Sequence, residues 1–352
     1  IMTLSTSLLN LMLQISRGLG KNIEYGLASI ISGSSNVLLC ILFIKYLSMK
    51  LSGIVLAYVF SNILALLFLI FKIKIYKYIS FSVLSKNKIK ELIKYSFPLI
   101  PNSISSWIMS ISDKIMISFL LGVSFNGIYS VSTKFSLLIS HIFNVFSLSW
   151  TESASMSNND EDRSIYFSKI INIVFLLCSF MCLLILAAMP IIFKILIKEP
   201  YFDAYKYIPI LICASFFELF SILIGGVFIA FKLPKEIATT TILGGIINIL
   251  INIFFMKKYG LIIASLSTLI SYIYIALARY LKISKYVKIK LNYFNFFIIT
   301  IMYIIIVAFY YSQSIIFSIV CEFMILIIFI LMNHKFLIQF LKKYKILLFK
   351  GK

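Results

Sequence analysis

Ten apolar stretches of membrane-spanning length, divided by short and often lysine-rich loops, make up nearly all of this chain. An α-helix needs about 20 predominantly apolar residues to cross the hydrocarbon core of a bilayer. Backbone N–H and C=O groups find no water there, so only helices and closed β-barrels can span it. The runs are continuous, with no strict alternation of apolar and polar residues, which selects helices and excludes an outer-membrane barrel. The pattern predicts complete spans at Glu24–Ile44, Ser52–Phe71, Phe97–Leu121, Phe125–Trp150, Ile170–Phe193, Tyr207–Phe231, Ile237–Met256, Leu261–Leu281, Tyr293–Tyr311 and Ile315–Leu331, after a partial span at Ile1–Ser16. The opening half-span leads us to expect a fragment or a truncated gene product. The fold class expected is therefore an all-α polytopic membrane protein.

A net charge of +21 suggests nucleic acid at first sight, but the cations sit in loops between spans, where the positive-inside rule accounts for them. Of the 33 Lys and Arg residues, 24 fall in alternate loops on one side, among them Lys72–Lys94 and Arg279–Lys290, and 7 on the other. The lysine-rich side is therefore expected to be cytoplasmic, together with the C-terminus, and no nucleic-acid partner is expected. Of the two long inward loops, Lys72–Ser96 is basic, with an interfacial helix expected around Lys86–Lys94. Thr151–Lys169 reads as a linker, flexible over Ser153–Arg163. Cys40, Cys178, Cys182, Cys213 and Cys321 all lie in or at the ends of apolar runs and read as packing residues. No metal site and no cofactor are expected. Phosphate-cradling glycine loops, nucleophile elbows and paired histidines are missing from the sequence, and the outward loops are too short for a catalytic domain, so an enzyme is not expected.

Charges at depth in a membrane are costly and point to function. Asp113 and Lys114 lie in one predicted span and Lys134 in the next, and Asp113 and Lys134 sit at matching depth in these antiparallel helices. Either Asp113 and Lys134 pair and lock two helices, or a lysine faces a water-filled cavity and binds an anion. Asn102, Ser106, Ser110 and Asp113 form a polar stripe at helical spacing; Ser130, Lys134, Ser140, His141 and Asn144 form a second, and Thr240, Gly244, Asn248 and Asn252 a third. Such faces pack closely on neighbouring helices or line a wet path. Glu218 and Glu322 are further deep carboxylates, and Glu218 and Asp113 are the candidates for carrying a coupling ion.

Residues 95–134 read YSFPLIPNSISSWIMSISDKIMISFLLGVSFNGIYSVSTK. FPLIPNSIS, the Asp113–Lys114 pair, Leu121–Gly122 and GIYSVSTK resemble the start of the second lobe in bacterial O-antigen and capsular polysaccharide flippases. These belong to the multidrug/oligosaccharidyl-lipid/polysaccharide exporter superfamily. QISRGLGK at Gln14–Lys21 resembles the cytoplasmic end of the fourth helix in that family. The resemblance implies two six-helix lobes around a central cavity, followed by two further helices. On that plan residues 1–75 are the remainder of the first lobe (the end of helix 4 and helices 5–6) and 76–96 a basic cytoplasmic linker. Residues 97–283 are the second lobe, and 284–352 the two C-terminal helices with a basic tail. The function implied is translocation of an undecaprenyl-diphosphate-linked oligosaccharide across the inner membrane by alternating access. Lipid-linked oligosaccharide, membrane lipid and other polysaccharide assembly proteins are the expected partners. The substrate-binding candidates are Asp113, Lys114, Lys134, Asn102, His141, Asn144, Asn248 and Asn252. Many relatives carry Arg where Lys114 stands; an ammonium keeps the charge but loses the two-pronged grip on phosphate. A cation-coupled multidrug antiporter of the same fold and an inactive flippase remnant are the alternatives.

Overall fold

The computed structural model describes residues 1–74, 85–97 and 99–349, without the side chains of 95, 99, 101–103, 105, 106, 108–110, 159 and 333–349. The described residues are all-α. In order they form α1 (Met2–Gly18), α2 (Asn22–Ile41, prolonged by a π-helical turn, Leu42–Tyr46), α3 (Leu51–Ile73), α4 (Lys86–Ser96), α5 (Leu99–Leu120) and α6 (Val123–Met156). After them come α7 (Arg163–Leu196), α8 (Ile208–Ala230), α9 (Pro234–Tyr259), α10 (Ile262–Ile283), α11 (Tyr293–Tyr310) and α12 (Ile315–Phe349). Nine of these, namely α2, α3 and α6 to α12, are long and apolar enough to cross a membrane. α5 occupies the remaining complete span of the sequence reading, and α1 the partial one.

Two elements differ from expectation. α6 continues to Met156 and α7 begins at Arg163, so the linker expected over Thr151–Lys169 shrinks to a single 3-10 turn and its neighbours. α6 and α7 each run 34 residues, longer than a single crossing needs, so the polar residues there are carried on helix ends, and Arg163 Nη1 closes the turn by donating to the Asn158 carbonyl (2.9 Å). The expected helix over Lys86–Lys94 is present as α4, two residues longer.

Contacts divide the chain into two units, residues 1–91 and 92–352. In the first, α1 and α2 both pack on α3. Leu9, Ala28, Ala65, Leu69 and Ile73 form its apolar seam. At mid-height Asn62 of α3 donates to Ser5 and Thr6 of α1 (3.4 Å each) and accepts from Ser32 of α2 (3.3 Å). In lipid, where apolar contact alone does not drive helices together, one such amide holding three helices is a strong locator.

The second unit is built on a phenylalanine-rich core shared by α6, α7, α8, α11 and α12. Phe175 stacks on Phe296 at 4.4 Å between ring centres, joining α7 to α11. Tyr205, in the 3-10 segment before α8, stacks on Tyr310 at 4.0 Å, and each hydroxyl donates to the other residue's carbonyl (2.9 Å). α6 lies close on α8 because Gly226 leaves room for the Trp150 indole, whose Nε1 donates to the Leu223 carbonyl (2.8 Å); a Cβ at 226 would stand 2.5 Å from that nitrogen. α9 approaches α10 in the same way, with Ile275 filling the space above Gly244. Between α5 and α6 the chain reverses in two residues, Leu121 and Gly122. Gly122 has φ +111°, a conformation open to glycine and strained for other residues.

Candidate functional site

The tight α5–α6 reversal sets Asp113 of α5 beside Tyr129 of α6, and the close packing of α9 on α5 and α10 brings the Asn248–Asn252 stripe to the same point. Asp113 is 4% exposed. Its carboxylate receives three neutral donors from three helices: Tyr129 Oη to Oδ2 (2.8 Å), Thr268 Oγ1 to Oδ2 (2.8 Å) and Asn252 Nδ2 to Oδ1 (2.7 Å). Behind them Asn248 Oδ1 accepts from Ser112 (3.1 Å) and its Nδ2 donates to Ser267 (3.1 Å), which in turn donates to Asn252 Oδ1 (3.0 Å). Thr268 and Tyr129 also reach the Ala264 carbonyl, at 2.9 and 3.4 Å. Asn248 and Asn252 are buried, so their amides work inside this cluster.

Beside the cluster lies a cavity of about 120 Å³, lined largely by residues with polar side chains. Asp113 and Glu218 of α8 both line it. The half-buried Glu218 accepts from Ser140 Oγ of α6 (2.7 Å) and Tyr272 Oη of α10 (3.3 Å). Each carboxylate is thus held by one residue of α6 and one of α10. Tyr129, Thr133, Ser136 and Ser140 carry the polar lining along α6; Thr268 and Tyr272 carry it along α10. Lys114 is half-buried and lines this cavity as well.

The sequence offered two readings of Asp113 and Lys134. The geometry rejects the ion pair: all the hydrogen-bond partners of Asp113 among the described residues are neutral, and Lys134 is exposed. The Asp113–Tyr129 bond sets Tyr129, not Lys134, level with Asp113, and direction around α6 was not considered in that reading. Five residues separate Tyr129 from Lys134, a rotation of about 140°, so the helix that turns Tyr129 toward Asp113 turns Lys134 away. Lys134, His141 and Asn144 share one exposed face of α6. The side chain of Asn102 lies outside the described residues. No group of three or more His, Cys, Asp or Glu residues that could hold a metal occurs among the described residues.

Sequence reasoning missed Arg279, which it counted among loop cations. Arg279 is 7% exposed, inside the bundle. Its Nε donates to Thr240 Oγ1 (3.1 Å), Nη1 to the Ser221 carbonyl (2.8 Å) and Nη2 to Thr241 Oγ1 (2.9 Å). Gly225 gives the guanidinium its space, since a Cβ there would stand 3.1 Å from Nη1. The available signal was the Gly225–Gly226 pair toward the C-terminus of α8 and the Thr240–Thr241 pair toward the N-terminus of α9, a short turn apart.

Residues 1–151 match the family described as polysaccharide biosynthesis protein. Among solved structures, the lipid II flippase MurJ in an inward closed conformation superposes with a TM-score of 0.64 at 19% identity, over 94% of this chain and 72% of MurJ. The Vibrio cholerae MATE transporter VcmN superposes with a TM-score of 0.63 at 12% identity, over 79% of this chain and 66% of that one. An outward-facing multidrug resistance MATE family transporter of the MOP superfamily gives 0.59 at 15% identity, over 78% and 64%. The chain thus spans just under two thirds of the length of these MATE transporters. No curated protein sequence matches it. The resemblance read from residues 95–134 is borne out: the chain has the fold of the MOP superfamily, and its first 151 residues carry the polysaccharide family's pattern.

Proposed function

We propose that this chain acts as a flippase, moving an undecaprenyl-diphosphate-linked oligosaccharide, an O-antigen or capsule repeat unit, across the bacterial inner membrane by alternating access, with its C-terminus in the cytoplasm. The observation that carries this reading is the extent of the flippase likeness. The match to the lipid II flippase takes in 94% of the chain, against 78–79% for the MATE transporters, a difference close to the length of α11 and α12. The polysaccharide family match over residues 1–151 supports it. On this reading the exposed α6 face with Lys134, His141 and Asn144, together with Lys114 and Asn102, meets the diphosphate and sugars. Ammonium groups attract phosphate as point charges.

Asp113 is our coupling centre. Its carboxylate, the Thr268 hydroxyl, the side-chain carbonyls of Asn248 and Asn252 and the Ala264 carbonyl make a set of hard oxygen donors. Such a set with one formal negative charge suits a proton or a small monovalent cation. A half-turn of the Asn252 amide would offer that cation Oδ1 in place of Nδ2. Glu218, which lines the same cavity, is the second coupling residue.

A multidrug antiporter is the rival, favoured by one observation: the cavity sets two carboxylates, Asp113 and Glu218, against one lysine. Deletion of the gene in its source bacterium separates the two. The flippase reading expects loss of surface glycan and trapping of lipid-linked glycan on the inner leaflet, restored by the wild-type gene. Unchanged surface glycan with increased drug sensitivity would favour the antiporter. Replacing Na⁺ by K⁺, or collapsing the proton gradient, in vesicles containing the protein then identifies the coupling ion.

A further inference from the structure

The short helix α4, between the last span of the first unit and the first of the second, is outside the site described above. Its sequence is KNKIKELIKYS. At 100° per residue Ile89, Leu92 and Ile93 fall within an arc of about 100°, enough for one apolar face. Lys86, Lys90 and Lys94 follow one another four residues apart along one flank of that arc, and Lys88 stands on the other flank. Asn87 and Glu91 lie opposite the apolar arc. Every described side chain of α4 is exposed, the apolar ones included: Leu92 by 66% and Ile93 by 59%. Eleven residues make a helix too short to hold itself in water without a surface to bury against.

The connection to α5 restricts what that surface is. Only Phe97 and Pro98 stand between Ser96 and Leu99, where α5 begins. Three residue steps reach at most about 11 Å, so where α5 crosses a bilayer the end of α4 is held close to the headgroups of the leaflet that α5 enters. An apolar arc flanked by lysines is the arrangement in which stems run along the acyl boundary and ammonium groups reach up to phosphates. Four lysines against one glutamate match a negatively charged surface.

We propose that α4 is a binding surface for anionic lipid: it lies in the plane of the leaflet, sinks Ile89, Leu92 and Ile93 below the headgroups and gathers phosphatidylglycerol-type headgroups on Lys86, Lys88, Lys90 and Lys94. This inference is independent of the transport reading and needs only that α5 spans the bilayer. The occupant is the membrane, and a protein partner is the outcome that would overturn it.

The test is backbone hydrogen exchange of the whole chain in nanodiscs of phosphatidylcholine alone and with about a third phosphatidylglycerol. Amides of α4 are expected to exchange at least tenfold more slowly in the anionic discs, and 0.5 M NaCl to remove most of that difference. A K86Q/K88Q/K90Q/K94Q variant is expected to lose the dependence on anionic lipid while exchange in α8 and α10 stays unchanged, which shows that the bundle is folded. Equal exchange of α4 in both lipid compositions would overturn the proposal. So would protection that appears only when membrane-free cell extract is added, which would assign the face to a protein.

Discussion

Two buried ionic groups stand in the second unit, and they are treated alike in one respect and oppositely in another. Asp113 and Arg279 each sit among three neutral partners from neighbouring helices, and the described residues place no counter-charge on either. Asp113 lines a cavity that a second carboxylate, Glu218, lines as well. The guanidinium of Arg279 is packed over Gly225 and tied to the ends of α8 and α9. Satisfying a buried charge is thus common to the residue we propose as a coupling centre and to one that we propose only braces the bundle. A place on the lining of a cavity, and not exposure, separates Asp113 from Arg279, and hydrogen-bond partners alone do not reveal which is which.

The largest expected effect bears on the site half of this contrast. Asp113→Asn keeps the size and two of the acceptor contacts but removes the charge, and transport is expected to fall about 100-fold, some 2.7 kcal/mol at 1.36 kcal/mol per tenfold, with protein level near wild type. Measuring glycan export against immunoblotted protein checks this, and full transport by that variant would erase the distinction. Next, Arg279→Met removes three charged hydrogen bonds from a buried place, and a stability loss of about 2–3 kcal/mol is expected. It should appear as a lower melting temperature in detergent, with transport per folded molecule within twofold. Loss of transport at normal stability would turn the strut into a site. Gly225→Ala sharpens the same point: its methyl group presses on Nη1, and about 1 kcal/mol of destabilisation is expected, smaller in the Arg279→Met background. Smallest is Tyr129→Phe, which leaves Asp113 two donors and is expected to cost about 0.5–1.5 kcal/mol while shifting the apparent affinity for the coupling cation.

Much of this was legible in the chain. Apolar run length gave the spans, because the bilayer imposes one length on every helix. Helical spacing of four found the Asn248–Asn252 face, and Leu121–Gly122 marked the reversal that aligns Asp113 with α6. What could not be read was direction around a helix and the exact limit of the apolar layer. The first left a pair of Asp113 with Lys134 open as one of two readings, when Tyr129 was the residue on the facing side. The second counted Arg279 with the loop cations although it falls inside the predicted span Leu261–Leu281, since a run of lysines begins three residues later. It also ended α6 at Trp150, six residues early. Composition cannot distinguish a polar helix end beyond the membrane from a linker.

The indole of Trp150, held over Gly226 and bonded to the Leu223 carbonyl, has a practical consequence. The chain has two tryptophans, and the other, Trp107, is 60% exposed where Trp150 is 2% exposed. Intrinsic fluorescence is therefore two signals in one spectrum. A quencher carried on lipid or in water reaches Trp107 first, and the blue-shifted emission that survives it belongs to Trp150. That remaining light is a native optical gauge of how closely α6 and α8 stay packed while the protein works.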